Sequence, residues 1–353
     1  MTVQVGSPGV GWRALRLEHF TFVMATGIVS TAIANTGAKT LSLIIFWIAL
    51  IGYFVLVSGV LAGLVTGVRT ARGELQDATV RTLAFVAAGG VLAAHMVGMG
   101  WHTFALVLII VSAIAWVVLQ YGALGVVLVT SSGGESAAGG AGDRLRLFNG
   151  TWFLVVVSTQ ALAVSLAAWA KGVDSDVAAT LAVLAWGLGV LQLSIVAALV
   201  AARLLIVGVA PADEVAPYWV FLGSGAISIL GAAEVLGTAE EQIVLPRAVV
   251  GAVAMALWAF VTWMIPLTIA LQVWQRLRPG SIHGYRAALW SMVFPIGMYG
   301  ESSRQLGFVR HTDWLEEVGT WEAWVALAVW GVVLAGLVVA VIRRFGGRPV
   351  TLS

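Results

Sequence analysis

Ten apolar runs, each long enough to cross a bilayer, follow one another between residues 17 and 342. A hydrocarbon core about 30 Å thick takes roughly 20 apolar residues in an α-helix. Lipid offers the backbone no hydrogen bonds, so only helices or closed barrels cross it. The runs lie at about 17–35, 41–66, 81–98, 103–129, 147–170, 177–207, 215–237, 246–274, 286–304 and 321–342. The sixth and eighth are longer than one crossing needs, which predicts tilt or extension beyond the lipid. Hydrophobic residues make up 60% of the chain and charged residues 10%, where soluble domains carry about 25% charge. The sequence therefore predicts an all-α integral membrane protein. Residues 1–15 form an N-terminal tail, 16–343 one ten-helix membrane domain, and 344–353 a C-terminal tail.

Charge placement tests the count. With both termini in the cytoplasm of a bacterial-type plasma membrane, fourteen basic residues fall inside: Arg13, Arg16, Arg69, Arg72, Arg81, Arg144, Arg146, Arg203, Arg276, Arg278, Arg286, Arg343, Arg344 and Arg348. Five fall outside, namely Lys39, Lys171, Arg247, Arg304 and Arg310. Cytoplasmic loops of membrane proteins carry an excess of Lys and Arg, and miscounting one helix would scramble this bias. Arg13 and Arg16 ahead of an apolar run, with Ala32-Ile33-Ala34 after it, have the outline of a signal peptide. The first run belongs to the internal repeat, however, and losing it would leave an odd number of helices. The stretch Thr130–Gly142 (TSSGGESAAGGAG) reads as a flexible cytoplasmic loop, and Arg310–Trp321, with Asp313, Glu316 and Glu317, as a solvated acidic loop outside.

The odd-numbered runs begin near Leu17, Thr82, Leu147, Val215 and Ala287, at intervals of 65, 65, 68 and 72 residues, so the chain reads as five helical hairpins. Even runs are bulky and aliphatic, as in Leu43-Ile44-Ile45-Phe46-Trp47, and suit lipid. Odd runs place an aromatic near the cytoplasmic end and then small or hydroxylated residues: Phe22 before Thr26-Gly27, Phe85 before Gly89-Gly90, Trp152 before Ser158-Thr159, and Trp219 before Gly223-Ser224-Gly225 and Ser228. Small residues let helices pack closely. Hydroxyls and exposed backbone also line narrow aqueous paths, and five odd runs of one character favour that role.

The ninth run, Trp290 to Gly307, holds Phe294-Pro295 and Gly297 amid apolar residues. Pro295 has no N–H, so the carbonyl of Ser291 loses its helical partner, and the predicted kink sits beside a large ring. Proline is also commoner in membrane helices than in soluble ones. The odd helices all start inside, where each N-terminus contributes about half a positive charge. Arg16, Arg81, Arg146 and Arg286 stand before or at four of these starts, while span seven has Asp213 and Glu214. Such a set attracts cytoplasmic anions, although positive-inside topology alone accounts for the arginines.

Other chemistry is scarce. There is no cysteine, which excludes disulfides and thiol catalysis. No HExxH, Walker loop, GxSxG or paired intramembrane aspartate occurs, so neither an enzyme, a cofactor nor a metal is expected. His95 and His102 bracket an outer turn, but Gly98 and Gly100 between them argue against one shared helix. The middle of every span lacks Asp, Glu, Lys and Arg, unlike pumps that hold ionisable groups at the midplane. Glu234, Glu301 and Arg304 fall near the outer ends of spans seven and nine, within pairing reach at an outer mouth, although snorkelling is the default for such residues.

His19-Phe20-Thr21-Phe22-Val23-Met24-Ala25-Thr26-Gly27-Ile28-Val29-Ser30 resembles the first helix of the tellurite-resistance/dicarboxylate transporter family. Trp290-Ser291-Met292-Val293-Phe294-Pro295-Ile296-Gly297-Met298-Tyr299 is similar to its ninth helix, and Pro217-Tyr218-Trp219 through Gly223 to Ser228 to its seventh. That family includes fungal malate permeases, sulfite efflux pumps, bacterial tellurite-resistance proteins and plant slow anion channels. The resemblance implies ten helices as five hairpins around a central pore, odd helices inside and even outside, occluded by the phenylalanine matched by Phe294. It also implies homotrimers with one pore per subunit. The expectation is transport of small anions along a path lined by Phe22, Thr26, Gly27, Phe85, Gly89, Ser158, Thr159, Ser224, Ser228 and Gly297, with Phe294 and Pro295 as gate. A secondary carrier for malate-like C4-dicarboxylates, sulfite or a related oxyanion is the alternative, and a non-transporting membrane protein a further one.

Overall fold

The computed structural model describes residues 17–66, 80–132, 145–209, 215–238, 245–277 and 285–345. The two tails, Arg16, Arg69, Arg72 and most of the glycine-serine linker lie outside these. Among the described residues there is no strand. The described residues form ten long helices: α1 (Thr21–Asn35), α2 (Lys39–Val65), α3 (Ala84–Gly98), α4 (His102–Ser132), α5 (Phe153–Val173), α6 (Asp176–Ile206), α7 (Trp219–Leu236), α8 (Arg247–Arg276), α9 (Trp290–Arg310) and α10 (Asp313–Phe345). Eight of the segments, counting the turn that leads in, are long and apolar enough to cross a membrane. The others are α1, apolar but only 15 residues, and α9, which carries Glu301, Arg304 and three serines.

Each odd helix begins the same way. A single 3-10 turn (Leu17–Phe20, Val80–Leu83, Gly150–Trp152, Ala216–Tyr218 or Ala287–Leu289) runs straight into it. At the other end, a left-handed residue follows four of the five: Gly37, Gly100, Asp174 and His311. The bonds Trp101 N–H to Met96 O (2.9 Å), Ser175 N–H to Ala170 O (3.1 Å) and Thr312 N–H to Gly307 O (2.9 Å) close three of these ends. They are the six-to-one bonds that satisfy helix-end carbonyls when the chain turns back at once.

The odd helices contact one another in a closed circuit, α1 on α3, α3 on α5, α5 on α7, α7 on α9 and α9 on α1. Glycine permits the approach at every step. A β-carbon on Gly27 would lie 2.9 Å from Val91, one on Gly90 2.7 Å from the Ala161 carbonyl oxygen, and one on Gly150 2.5 Å from the backbone of Pro217. One on Gly223 would lie 2.8 Å from the Phe294 ring, and one on Gly297 3.2 Å from Ile28. This is the packing expected where helices cannot rely on a hydrophobic drive to associate.

Each even helix lies against the odd helix before it. The two sets differ in burial: 78%, 83% and 94% of the apolar windows of α3, α5 and α7 are buried, against 17–44% for the five even helices. Even helices therefore cover the ring and turn Ile51, Phe54, Phe104, Ile114, Leu191 and Val332 outward.

One expectation is corrected here. The acidic segment 310–321 is not a loop, because α10 starts at Asp313. Asp313 and Glu316 occupy its first turn, where carboxylates offset the positive end of the helix dipole.

Candidate functional site: two cavities on the ring axis

Two polar cavities open at opposite ends of the ring, and side chains from all five odd segments reach both. The N-terminal cavity, about 290 Å³, is lined by His19, Thr21, Arg81, Thr151, Pro217, Arg286 and Ser291, with Leu154 and Val220 at its floor. Asn149 shapes its rim: its Oδ1 accepts from the Thr151 N–H (2.9 Å) and hydroxyl (2.6 Å). Among the described residues its lining holds two arginines and no carboxylate. Arg146 is exposed and stands outside it, and Arg16 lies outside the described residues.

The C-terminal cavity, about 740 Å³, is lined by Thr31, Asn35, Lys39, His95, His102, Lys171, Glu234, Glu301, Arg304 and Gln305, among others. Both of its carboxylates are paired. Lys171 pairs with Glu234, and Arg304 donates to Glu301 at 2.9 Å while Asn35 donates to the same oxygen at 2.8 Å. The Thr31 hydroxyl lies within hydrogen-bond distance of Gly27 O (3.2 Å) and of His95 Nδ1 (2.9 Å). The His95 ring stacks on Phe46 at 4.9 Å. His95 and His102 do face one cavity although they lie on different helices. No group of three metal-ligating side chains occurs among the described residues.

The two cavities do not meet. At 3.6 residues per turn, the row from Thr21 to Thr31 on α1 passes Met24 and Ile28, and that from Val220 to Leu230 on α7 passes Ser224 and Ile227. On α9 the row from Ser291 to Glu301 passes Phe294 and Met298. On α5 it passes Ser158 and Ala161 between Leu154 and Val164. All of these intermediate residues are at most 2% exposed, and Phe294 is fully buried. Its ring lies against Gly223 of α7. Helix α9 runs unbroken through Pro295.

The remaining residues expected along a path have other contacts. Thr26 accepts from the indole N–H of Trp330 (3.1 Å) on α10, and Thr159 from that of Trp116 (2.9 Å) on α4. The Ser228 carbonyl accepts from Trp186 (2.9 Å) on α6, and Ser303, which was not among the expected residues, from Trp258 (2.8 Å) on α8. Four even helices thus each aim a tryptophan N–H at the neighbouring inner helix. Gly89 faces Ser112 of α4, and Gly297 faces α1 and Ala326 of α10. Phe22 packs edge-on to Trp290 at 4.8 Å, and Phe85 joins Phe20 (5.0 Å) and Tyr53 (5.8 Å). The signal for these roles was the tryptophan in each even run, which a hydropathy reading treats only as apolar.

A buried inner ring, an apolar outer layer and two polar cavities on one axis define a multi-pass helical membrane protein built for passage across the bilayer. Residues 15–338 match the family described as voltage-dependent anion channel, SLAC1. The chain belongs to that family, whose members move anions across membranes and which its first- and ninth-span motifs resemble. It is also 38% identical over 143 residues to an uncharacterized membrane protein of Mycobacterium tuberculosis, in strains CDC 1551 and H37Rv alike. That match covers 40% of this chain and 73% of the relative.

Proposed function

We propose that the ten helices cross a bacterial plasma membrane as five hairpins around a central anion pore closed by Phe294. The observation that carries this reading is the fully buried Phe294 ring on the axis row between two polar cavities. With both termini cytoplasmic, the N-terminal cavity faces the cell interior, where Arg81, Arg286 and five helix N-termini raise the local anion concentration. The path beyond has no charged group, and Ser158 and Ser224 supply its hydroxyls, while Thr26, Thr159 and Ser228 tie the outer layer to the ring. A weakly binding path suits throughput. Gly223 leaves room for the Phe294 ring, and Pro295 beside it leaves the Ser291 carbonyl without its helical partner within a continuous helix. The exposed apolar faces of the even helices meet lipid and, in a homotrimer, neighbouring copies.

The alternative is a carrier for malate-like dicarboxylates, sulfite or a related oxyanion, and the closed column between two cavities suits alternating access. The test is anion flux into proteoliposomes at fixed potential and pH, comparing chloride and nitrate with malate and sulfite. Current carried by several small anions and raised in Phe294→Ala supports the pore. Saturable uptake of one substrate without conductance establishes the carrier.

A further inference from the structure

The buried ion pair of the C-terminal cavity is expensive to keep. Glu301 is 4% exposed and Arg304 has 18% of its side chain exposed. Taking such charges out of water costs more than their attraction reliably returns, and a pore wall has no structural need of them. The geometry of the pair is informative. Arg304 meets the carboxylate through one edge of its guanidinium, with Nη2 2.9 Å from Oε1 and Nε 3.4 Å from Oε2. That edge matches any planar anion with two oxygens side by side. Glu301 stands two helical turns beyond Phe294 on the same face of α9, so its carboxylate lies where an anion leaving the closed column arrives.

Helix movement is not the release mechanism here. A β-carbon on Gly319 of α10 would overlap the Arg304 backbone N and the Gly300 carbonyl, and one on Gly307 would lie 2.7 Å from Glu316. The outer half of α9 therefore packs closely on α10, and because Glu301 and Arg304 share α9, side-chain rotation is what parts the pair. On the α7 side Glu234 faces Glu301 and is already held by Lys171 of α5. Glu316 and Glu322 approach from α10, α1 contributes only the neutral Asn35, and Lys39, His95 and His102 stand across the cavity. Among the described residues no second cation bonds Glu301 directly, so its charge depends on Arg304.

We propose that Arg304 is an oxyanion-binding residue occupied at rest by the Glu301 carboxylate, and that a proton taken up by Glu301 from the C-terminal side frees Arg304 for a planar oxyanion. The ligand class is a carboxylate or a nitrate-like anion in preference to a halide, because a sphere uses only one arm of the fork. The sign follows directly: acid neutralises the internal competitor, so anion binding strengthens as pH falls and weakens as it rises. Within the proposed anion-transport reading this makes passage proton-linked at the C-terminal mouth. The binding step itself needs no pore.

Nitrate and chloride binding to the purified full-length protein, by calorimetry at acidic and neutral pH, tests this. The expectation is nitrate binding about tenfold or more tighter in acid, the change linkage gives when a proton removes a competitor. In Glu301→Gln nitrate binds equally well at both pH values, and in Arg304→Gln this binding is lost. Arg304→Lys keeps the pH dependence but loses the preference for nitrate over chloride, which guards against misfolding of the other variants. Unchanged nitrate binding in Arg304→Gln, or a persisting pH dependence in Glu301→Gln, overturns the assignment. If Phe294→Ala leaves flux unaltered while these binding results hold, the pore gate fails and this site stands.

Discussion

The two mouths of the ring are made by the same five helices, yet their electrostatics are opposite in kind. At the N-terminal mouth the positive ends of the odd helices point inward and the lining adds Arg81 and Arg286, so dipoles and side chains reinforce each other. At the C-terminal mouth the helices end in carbonyls, and Lys171 and Arg304 there are each matched by a carboxylate. In the proposed reading one end gathers anions. The other pairs both of its carboxylates with cations, and in the proposed reading the buried Glu301–Arg304 pair exchanges partners. Between them lies an uncharged column, apolar apart from Ser158 and Ser224.

That comparison depends on the column being the barrier. Phe294→Ala removes the largest side chain on the axis row and is expected to raise anion flux by about tenfold or more, equivalent to roughly 1.4 kcal/mol of barrier. Proteoliposome current at fixed potential measures it. An unchanged current would mean that the two mouths are not separated by this ring, and the contrast between them would lose its functional meaning.

A second test concerns how each mouth is held. Gly150 fixes the N-terminal rim, where a β-carbon would lie 2.5 Å from Pro217, and Gly319 fixes α10 on α9 beneath Arg304. Both neighbours are backbone, which cannot step aside. Alanine at either position is expected to cost about 1–3 kcal/mol, the range for overpacking, read as a fall in the thermal unfolding midpoint in detergent. Equal costs at both ends would show that the mouths are equally rigid. A silent Gly319→Ala would mean that α9 shifts freely against α10.

How far the sequence foretold these features differs by type. The all-helical membrane class and the split into bulky even and small-residue odd helices were legible, because each depends on composition along the chain, while two of the ten expected spans, α1 and α9, fall short of a membrane-length apolar helix. The facing of hydroxyls was not legible. An inner helix is buried all round, so it has no polar stripe to mark the axis side, and Thr26 reads the same whether it meets water or the Trp330 indole. Proline was equally ambiguous, since Pro266 sits inside the outer helix α8. The start of α10 was missed because Asp313, Glu316 and Glu317 lower the hydropathy of what is a well-placed first turn. The Lys171–Glu234 pairing joins helices 63 residues apart, beyond any local pattern.

The electrostatic half of the comparison is sharpened by Arg81→Gln with Arg286→Gln. Removing both cations from the N-terminal lining is expected to slow anion entry from that side by about three- to tenfold at low ionic strength, within the range of electrostatic steering. The deficit should shrink toward nothing as salt rises and the screening length falls below about 10 Å. Initial flux rates across a salt series measure it. A deficit that ignores salt would point to direct ligation by the arginines instead.

The smallest effect is expected at the matched mouth. Lys171 and Glu234 expose 29% and 15% of their side chains to the cavity, so water competes for both ends of the pair. Exposed pairs of this kind contribute roughly 0.2–1 kcal/mol. Lys171→Gln should therefore lower the unfolding midpoint only slightly, and it should change flux less than the arginine variants because the cavity loses a charge that was already neutralised. Lys171→Gln with Glu234→Gln restores the balance and should recover wild-type flux, whichever side the anion enters from. A large flux defect in the single variant that the double variant fails to repair would show that Lys171 touches the anion directly. The C-terminal mouth would then gather anions as the N-terminal one does, and the difference between the two ends would reduce to helix dipoles alone.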